Sequence, residues 1–182
     1  LHQFAQMATV FGKSYLGMQH PTTGLLNNGS EAKKGSQLYK ETYPILKEDA
    51  ILNFYGNIEG RDIPKGIVDI VVCDGFVGNI VLKIMEGLSS TLFGEIKENL
   101  NSKLIYKIGA LLSKGAFQKL KAQLDYTEYG GAPLLGLKGI SMISHGSSDA
   151  KTMFSAIKAA KKAVESGFNQ ELIRHFEGES RE

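Results

Sequence analysis

The chain has 182 residues, 42% hydrophobic and 22% charged, with 21 Gly and 4 Pro, which excludes collagen-like, disordered and disulfide-stapled classes. Twenty-one basic against 19 acidic side chains leave a net charge of +2, no footprint of a dedicated nucleic-acid binder. A lone cysteine, Cys73, points to a reducing, cytosolic compartment, and neither an apolar run of about 18–20 residues nor a signal-peptide pattern is visible.

Leu1, Phe4, Ala5, Ala8, Phe11, Tyr15 and Leu16 follow the spacing of a helix face. No cap or polar lead-in precedes them, so we expect this to be a piece of a longer protein. Residues 23–27 read as a short strand, and a helix follows from about Glu31 to Lys47, with Pro44 expected to kink it. A second strand is expected over 51–55, then a loop over 56–66 carrying Glu59, Arg61 and Asp62. The β-branched run Ile67–Cys73 has the look of a buried parallel strand, and Asp74-Gly75 turns it into a long helix from about Val77 to Leu100.

Leu104, Ile105, Ile108, Leu111 and Leu112 then fall on one face of a helix, with Lys103, Lys107 and Lys114 on its flank. Gly115 permits a break, after which Phe117, Leu120 and Leu124 begin a second stripe. Residues 101–123 hold five lysines and no carboxylate, a pattern of membrane-surface or partner helices that core packing also explains. A last strand is expected over 139–144, then a helix ending near Gly167 and a short helical tail from Asn169. Strands alternating with helices predict an α/β fold with a largely parallel sheet and flanking helices.

In such sheets ligands bind beyond the carboxyl ends of the strands. Three strand-to-helix turns are rich in small residues: Leu25 to Gly35 with Asn27, Gly29 and Lys34, Cys73 to Asn79 with Gly75 and Gly78, and Ser144 to Asp149 with His145, Gly146, Ser147 and Ser148. Each directs helix N–H groups and a positive dipole end toward one edge, which suits an anion, although ordinary capping explains each turn singly. The small-residue run Tyr129 to Gly136 permits close backbone approach to a ligand or another chain. No metal site is apparent: His2, His20, His145 and His175 are scattered, and no cofactor is expected. Cys73, beside Asp74, reads as a structural thiol rather than a nucleophile.

Five ordered motifs, L-L-N-x-G-x-E-x-x-K-G (25–35), N-x-E-G-R-D (57–62), V-V-C-D-G-F-V-G-N (71–79), Y-G-G-A-P-L-L-G (129–136) and H-G-S-S-D-A-K (145–151), closely resemble the PlsX family of bacterial phosphate acyltransferases, also called fatty acid/phospholipid synthesis proteins. Asn28 and Ser30 depart locally from the family pattern, and the family's N-terminal half is not represented. The resemblance implies transfer of a long-chain fatty acyl group from acyl carrier protein to inorganic phosphate, giving acyl phosphate for phospholipid synthesis. It also implies an isocitrate/isopropylmalate dehydrogenase-like fold, a homodimer, a cytoplasmic location and peripheral membrane contact through a helical tip. On that reading, residues 1–182 are the C-terminal part of the domain, and 101–126 are the inserted amphipathic tip.

Within that reading Lys34 would neutralise phosphate, and Asn79 would hydrogen-bond the reacting carbonyl or phosphate. Asn27, Gly29, Gly75, Gly78, His145, Gly146, Ser147 and Ser148 would line the anion pocket, and Leu104, Ile108, Leu111 and Leu112 would meet the membrane. The competing expectations are a phosphate acetyltransferase using a coenzyme A thioester, a dehydrogenase of related fold, and a non-catalytic membrane-docking module.

Overall fold

Thr22–Asn27 (β1) forms the middle of a parallel three-stranded sheet, with Asn53–Glu59 (β2) on one side and Ile70–Val72 (β3) on the other. The computed structural model describes residues 1–124, 130–144, 146 and 148–179, without the side chains of 121–124 and 179. Residues 23–26 of β1 are all buried, as a strand covered on both faces requires.

His2–Ser14 (α1) lies between two apolar clusters. In one, its Ala5 meets Leu25, Tyr39, Leu46, Leu52 and Val72 of the sheet layer. In the other, Phe11 and Tyr15 pack on Phe168 and Leu172 near the C-terminus. The buried face of α1 is Ala5, Gln6, Thr9 and Gly12, whereas Phe4 and Leu16 of the expected stripe stand about half exposed. A helix held against protein on two sides needs short side chains where backbones approach closely, so its buried face departs from the large-residue stripe.

Gln37–Glu48 (α2) links β1 to β2 and contains Pro44. It starts later than the expected Glu31, because Gly35 adopts φ +89° and a left-handed residue cannot continue a right-handed helix. Strand β2 starts later too: Asp49 Oδ1 accepts the Ile51 N–H at 2.8 Å, holding 49–52 in a turn. It then runs to Glu59, into the segment 56–66 expected as a loop, and Gly60–Lys65 follows as a 3-10 helix.

The expected strand 67–73 pairs only over Ile70–Val72. Just before it, Asp69 and Thr22 clasp each other. The Asp69 carboxylate accepts the Thr22 N–H and hydroxyl at 2.8 and 2.7 Å, and the Asp69 N–H donates to the Thr22 carbonyl at 3.1 Å. That side-chain exchange replaces the regular ladder at the start of β3.

Gly75–Asn101 (α3) leaves the sheet edge and has no buried residue. Among the described helices it is the one long and apolar enough, by length and composition, to cross a bilayer, although Lys83 and Glu86 lie within it. Leu104–Leu112 (α4) and Lys114–Leu124 (α5) follow, and the break falls at Ser113 rather than Gly115. Ala132–Pro133 (β4) and Met142–Ile143 (β5) form a separate antiparallel pair. The expected strand 139–144 is therefore short and outside the parallel sheet. Ala150–Ser166 (α6) and Phe168–Glu179 (α7) complete the chain, joined at Gly167 in the left-handed region.

Candidate functional site

The carboxyl ends of β1 and β3 open into a cleft of about 620 Å³ lined by Leu26, Asn27, Asn28, Gly35, Ser36, Tyr39, Asp74, Val77 and Val81. Two of the three small-residue turns thus meet in one place, an apolar hollow with a few polar groups. The described residues of the third, Gly146 and Ser148, are not among the lining. This third turn follows β5 of the antiparallel pair, so no strand of the parallel sheet delivers it to this edge. Within that turn Gly146 is exposed and the Ser148 hydroxyl is buried with no hydrogen-bond partner among the described residues, while His145 and Ser147 lie outside them.

Asp74 is the charged residue of the cleft. Its carboxylate accepts the Tyr39 hydroxyl at 2.6 Å and the N–H groups of Phe76 and Val77 at 2.9 Å each, capping α3. The Tyr39 oxygen in turn accepts the Asp74 N–H at 3.1 Å. The Tyr39 hydroxyl, with help from these amides, holds the Asp74 carboxyl below the usual carboxylate range. Burial and the neighbouring carboxylate push the Tyr39 phenol up to about 12. The cleft therefore carries a fixed negative charge at the start of α3, and that helix end is already occupied.

Helix α2 differs. Ser36 stands at its N-cap position without a side-chain hydrogen bond, and no acidic residue occupies its first turn. Gly35 and Ser36 both line the cleft, and Lys34 immediately precedes them. Of the two helices that start here, α2 is the one whose N-terminus remains open to an anion.

Lys34 lies in the turn 28–36 rather than inside a helix, because its N–H closes a turn onto the Glu31 carbonyl at 3.0 Å and Gly35 then reverses the backbone. Its ammonium is half exposed and 3.8 Å from the Glu31 carboxylate, a loose pair that is easily exchanged. The Asn27 amide donates to the Lys34 carbonyl at 3.0 Å and accepts the Asn28 N–H at 2.8 Å. A Cβ on Gly35 would lie 2.6 Å from that amide oxygen, so the close approach itself requires glycine. Gly29 is buried within the same turn.

Gly75 opens α3. Gly78 donates its N–H to the Asp74 carbonyl within the helix, and its missing Cβ leaves room for the Cys73 sulfur at 3.2 Å. Burial first, and Asp74 second, push the Cys73 thiol up, which keeps it protonated near neutral pH. Asn79 is exposed on α3. At 100° per residue it points about 200° away from Val77, so it does not share the face that Val77 and Val81 turn to the cleft. It shares its side instead with exposed Phe76 and Leu82.

The glycine run is explained internally. Gly130, at φ +71°, would place a Cβ 2.2 Å from the backbone nitrogen of Ala156, and Gly131 would place one 2.8 Å from the Ile143 carbonyl. The close approach is to this chain's own α6 and β5; Tyr129 lies outside the described residues. Far from the cleft, Leu104, Ile108, Leu111 and Leu112 are between 51% and 83% exposed, which leaves the apolar face of α4 uncovered.

Tyr39 and Ser36 were not singled out by sequence. Ser36 follows a glycine before an apolar periodic stretch, the ordinary sign of a helix start. Nothing local marks Tyr39, whose partner is 35 positions away.

A family model described as fatty acid synthesis protein matches residues 1–171. The chain is similar to proteins named phosphate acyltransferase from Desulfitobacterium hafniense (53% identical, covering 97% of this chain and 53% of that protein), Geotalea daltonii (46%, covering 97% and 51%) and Clostridium botulinum (49%, covering 94% and 51%). It spans about half the length of these curated relatives. With nearly the whole chain matched in register, the protein belongs to the fatty acid synthesis protein family, the PlsX family.

Proposed function

We propose that this chain supplies the phosphate-binding part of an enzyme that transfers a long-chain acyl group from acyl carrier protein to inorganic phosphate. The observation that carries the reading is the uncapped start of α2, which lines the cleft directly after Lys34. Phosphate is itself a nucleophile near neutral pH, so the reaction needs no serine, cysteine or metal-bound water. A phosphate oxygen attacks the thioester carbonyl, the C–S bond breaks, and the thiolate departs as acyl phosphate forms. The protein must hold the anion, neutralise it and stabilise the oxyanion.

Lys34 and the α2 N-terminus serve the phosphate in this proposal, with Asn27 and the backbone at Gly29 shaping the turn. Asn79 hydrogen-bonds the reacting carbonyl or phosphate from the side of α3 that carries Phe76 and Leu82. Gly75 and Gly78 set the course of α3, while the described residues of the 145–148 turn, Gly146 and Ser148, stand outside the cleft lining. Residues 1–182 then form the C-terminal part of a dehydrogenase-like domain, with 101–126 as a tip. Uncovered apolar residues on α3 and α6, among them Leu88, Leu92, Phe154 and Ile157, support a homodimer, since patches of this kind mark interfaces. Exposed leucines on α4 with lysines nearby support peripheral attachment of a cytoplasmic enzyme to the membrane.

The test is phosphate-dependent release of free thiol from long-chain acyl carrier protein by the whole protein, with acetyl coenzyme A as the competing donor. Lys34→Ala is expected to lower acyl phosphate formation by about 10²-fold or more, the scale of losing one preorganised charge. Asn79→Ala should lose a comparable factor, and Asn79→Asp more. Turnover of acetyl coenzyme A alone would favour the acetyltransferase reading. Wild-type rates for Lys34→Ala at saturating phosphate would remove that lysine from the mechanism.

A further inference from the structure

We propose that Asn57 is a positioning residue that holds the Lys34 turn in place for phosphate, an inference that rests on the role of Lys34 proposed above. Asn57 lies in β2 opposite Leu25 of β1 and is 4% exposed. Its side-chain amide crosses to the neighbouring turn and donates to the Glu31 carbonyl at 2.8 Å. The same carbonyl accepts the Lys34 N–H at 3.0 Å, and the Lys34 carbonyl accepts the Asn27 amide at 3.0 Å. Two buried or half-buried asparagines, one on each strand, therefore grip the turn at both ends of the Glu31–Lys34 segment.

The turn needs such a grip. Between Asn28 and Ser36 only Gly29 is buried, so apolar packing contributes little to its order, and hydrogen bonds must hold it. A lysine on a loosely held turn binds phosphate only after the turn is ordered, whereas a pinned one is preorganised for the anion.

Asn57 is also a poor choice for the sheet alone. Asparagine is disfavoured in strands, and an apolar side chain would suit this buried place better. Its Oδ1 atom is buried with no hydrogen-bond partner among the described residues, a further cost to the fold. A residue that breaks the local rule twice while making one specific contact is the mark of a functional constraint.

The experiment measures kcat and KM for phosphate and for the acyl thioester in the whole protein, for wild type, Asn57→Val, Asn57→Ala and Lys34→Ala, and for Asn57→Val combined with Lys34→Ala. Asn57→Val retains strand propensity, so it guards against simple unfolding, and melting curves accompany each variant. The expected result is a fall of about 10- to 100-fold in kcat/KM for phosphate, the scale of a misplaced catalytic group. KM for the thioester stays unchanged, and the Asn57 substitution costs nothing further once Lys34 is alanine. The inference is overturned by an unchanged kcat/KM for phosphate, by an equal loss in the Lys34→Ala background, or by a KM for the thioester that rises along with that for phosphate. Phosphate titration by calorimetry gives a readout separate from turnover. If wild type binds phosphate and Asn57→Val binds it equally well, Asn57 has no such role while the wider reading stands. If wild type neither binds nor transfers to phosphate, the wider reading falls and this inference with it.

Discussion

Replacing Gly35 by alanine is expected to destabilise the protein by about 2 kcal/mol or more, from two additive causes. The first is backbone conformation: at φ +89° an L-residue costs about 1–2 kcal/mol. The second is steric, because the new Cβ would fall 2.6 Å from Asn27 Oδ1 and 3.0 Å from both Asn27 Nδ2 and Tyr39 Cβ. Tyr39 is buried and cannot retreat, so the Asn27 amide must move and give up its bond to the Lys34 carbonyl, a loss of about 0.5–1.5 kcal/mol. For a protein of this size that total lowers Tm by about 4–8 °C or more. Gly29→Ala is the matched control. Its Cβ would meet the tip of the exposed Glu31 side chain at 2.7 Å and the half-exposed Lys34 stem at 3.1 Å, both flexible and free of backbone, so the cost stays below that of Gly35→Ala, at about 1 kcal/mol or less. Urea unfolding and thermal melts of both variants decide the matter. A Gly35→Ala protein as stable as wild type, or equal losses in the two variants, would refute the reasoning.

Tyr39→Phe should destabilise at about pH 7 and much less at either extreme. Asp74 has a depressed pKa, so its contribution is complete above the unfolded carboxylate value of about 3.9 and is lost as pH falls through the lower folded value. The raised Tyr39 value makes its contribution complete below about 10 and lost as pH rises toward about 12. Urea midpoints across that range check this, and a gap between wild type and variant that ignores pH would contradict it. Leu111→Glu with Leu112→Glu should abolish co-sedimentation with anionic vesicles while leaving Tm and turnover unchanged, since the two side chains are 72% and 83% exposed. Each leucine would contribute roughly 1.5–3 kcal/mol on leaving water, and joint loss of fold and activity would instead assign this face to internal packing.

Periodicity and turn chemistry made the parallel layer legible. The apolar run of β1, the Asp-Gly start of α3 and the long periodic stretches of α3 and α6 all appear close to where they were expected. The misplaced boundaries have two causes, side-chain hydrogen bonds and a left-handed backbone residue, each overriding local propensity. Asp49 delays β2, the Asp69–Thr22 clasp shortens β3, and left-handed Gly35 postpones α2. The antiparallel β4–β5 pair is set by long-range packing, with Gly130 and Gly131 admitting neighbouring backbone, and no sequence period announces that.

The site is legible in sequence only in part. Each of the three glycine-rich turns directs helix N–H groups toward one edge, although ordinary capping explains each turn singly. An aspartate directly before a helix accepts the very N–H groups that an anion would use. Asp74 does so for α3, and Asp149 does so for α6, where it accepts the Thr152 N–H at 2.8 Å. Both aspartates were in plain view, and their position immediately ahead of a helix already closes those two ends. What sequence could not reveal is that Ser36 leaves α2 uncapped, because serine at that position ordinarily caps. A phosphate placed at α3 would face the ionised Asp74 carboxylate, whereas one placed at α2 would meet open N–H groups beside Lys34. Electrostatics therefore separates the two halves of the cleft, and on the proposed reading the anion would take the α2 side and the uncharged thioester the α3 side.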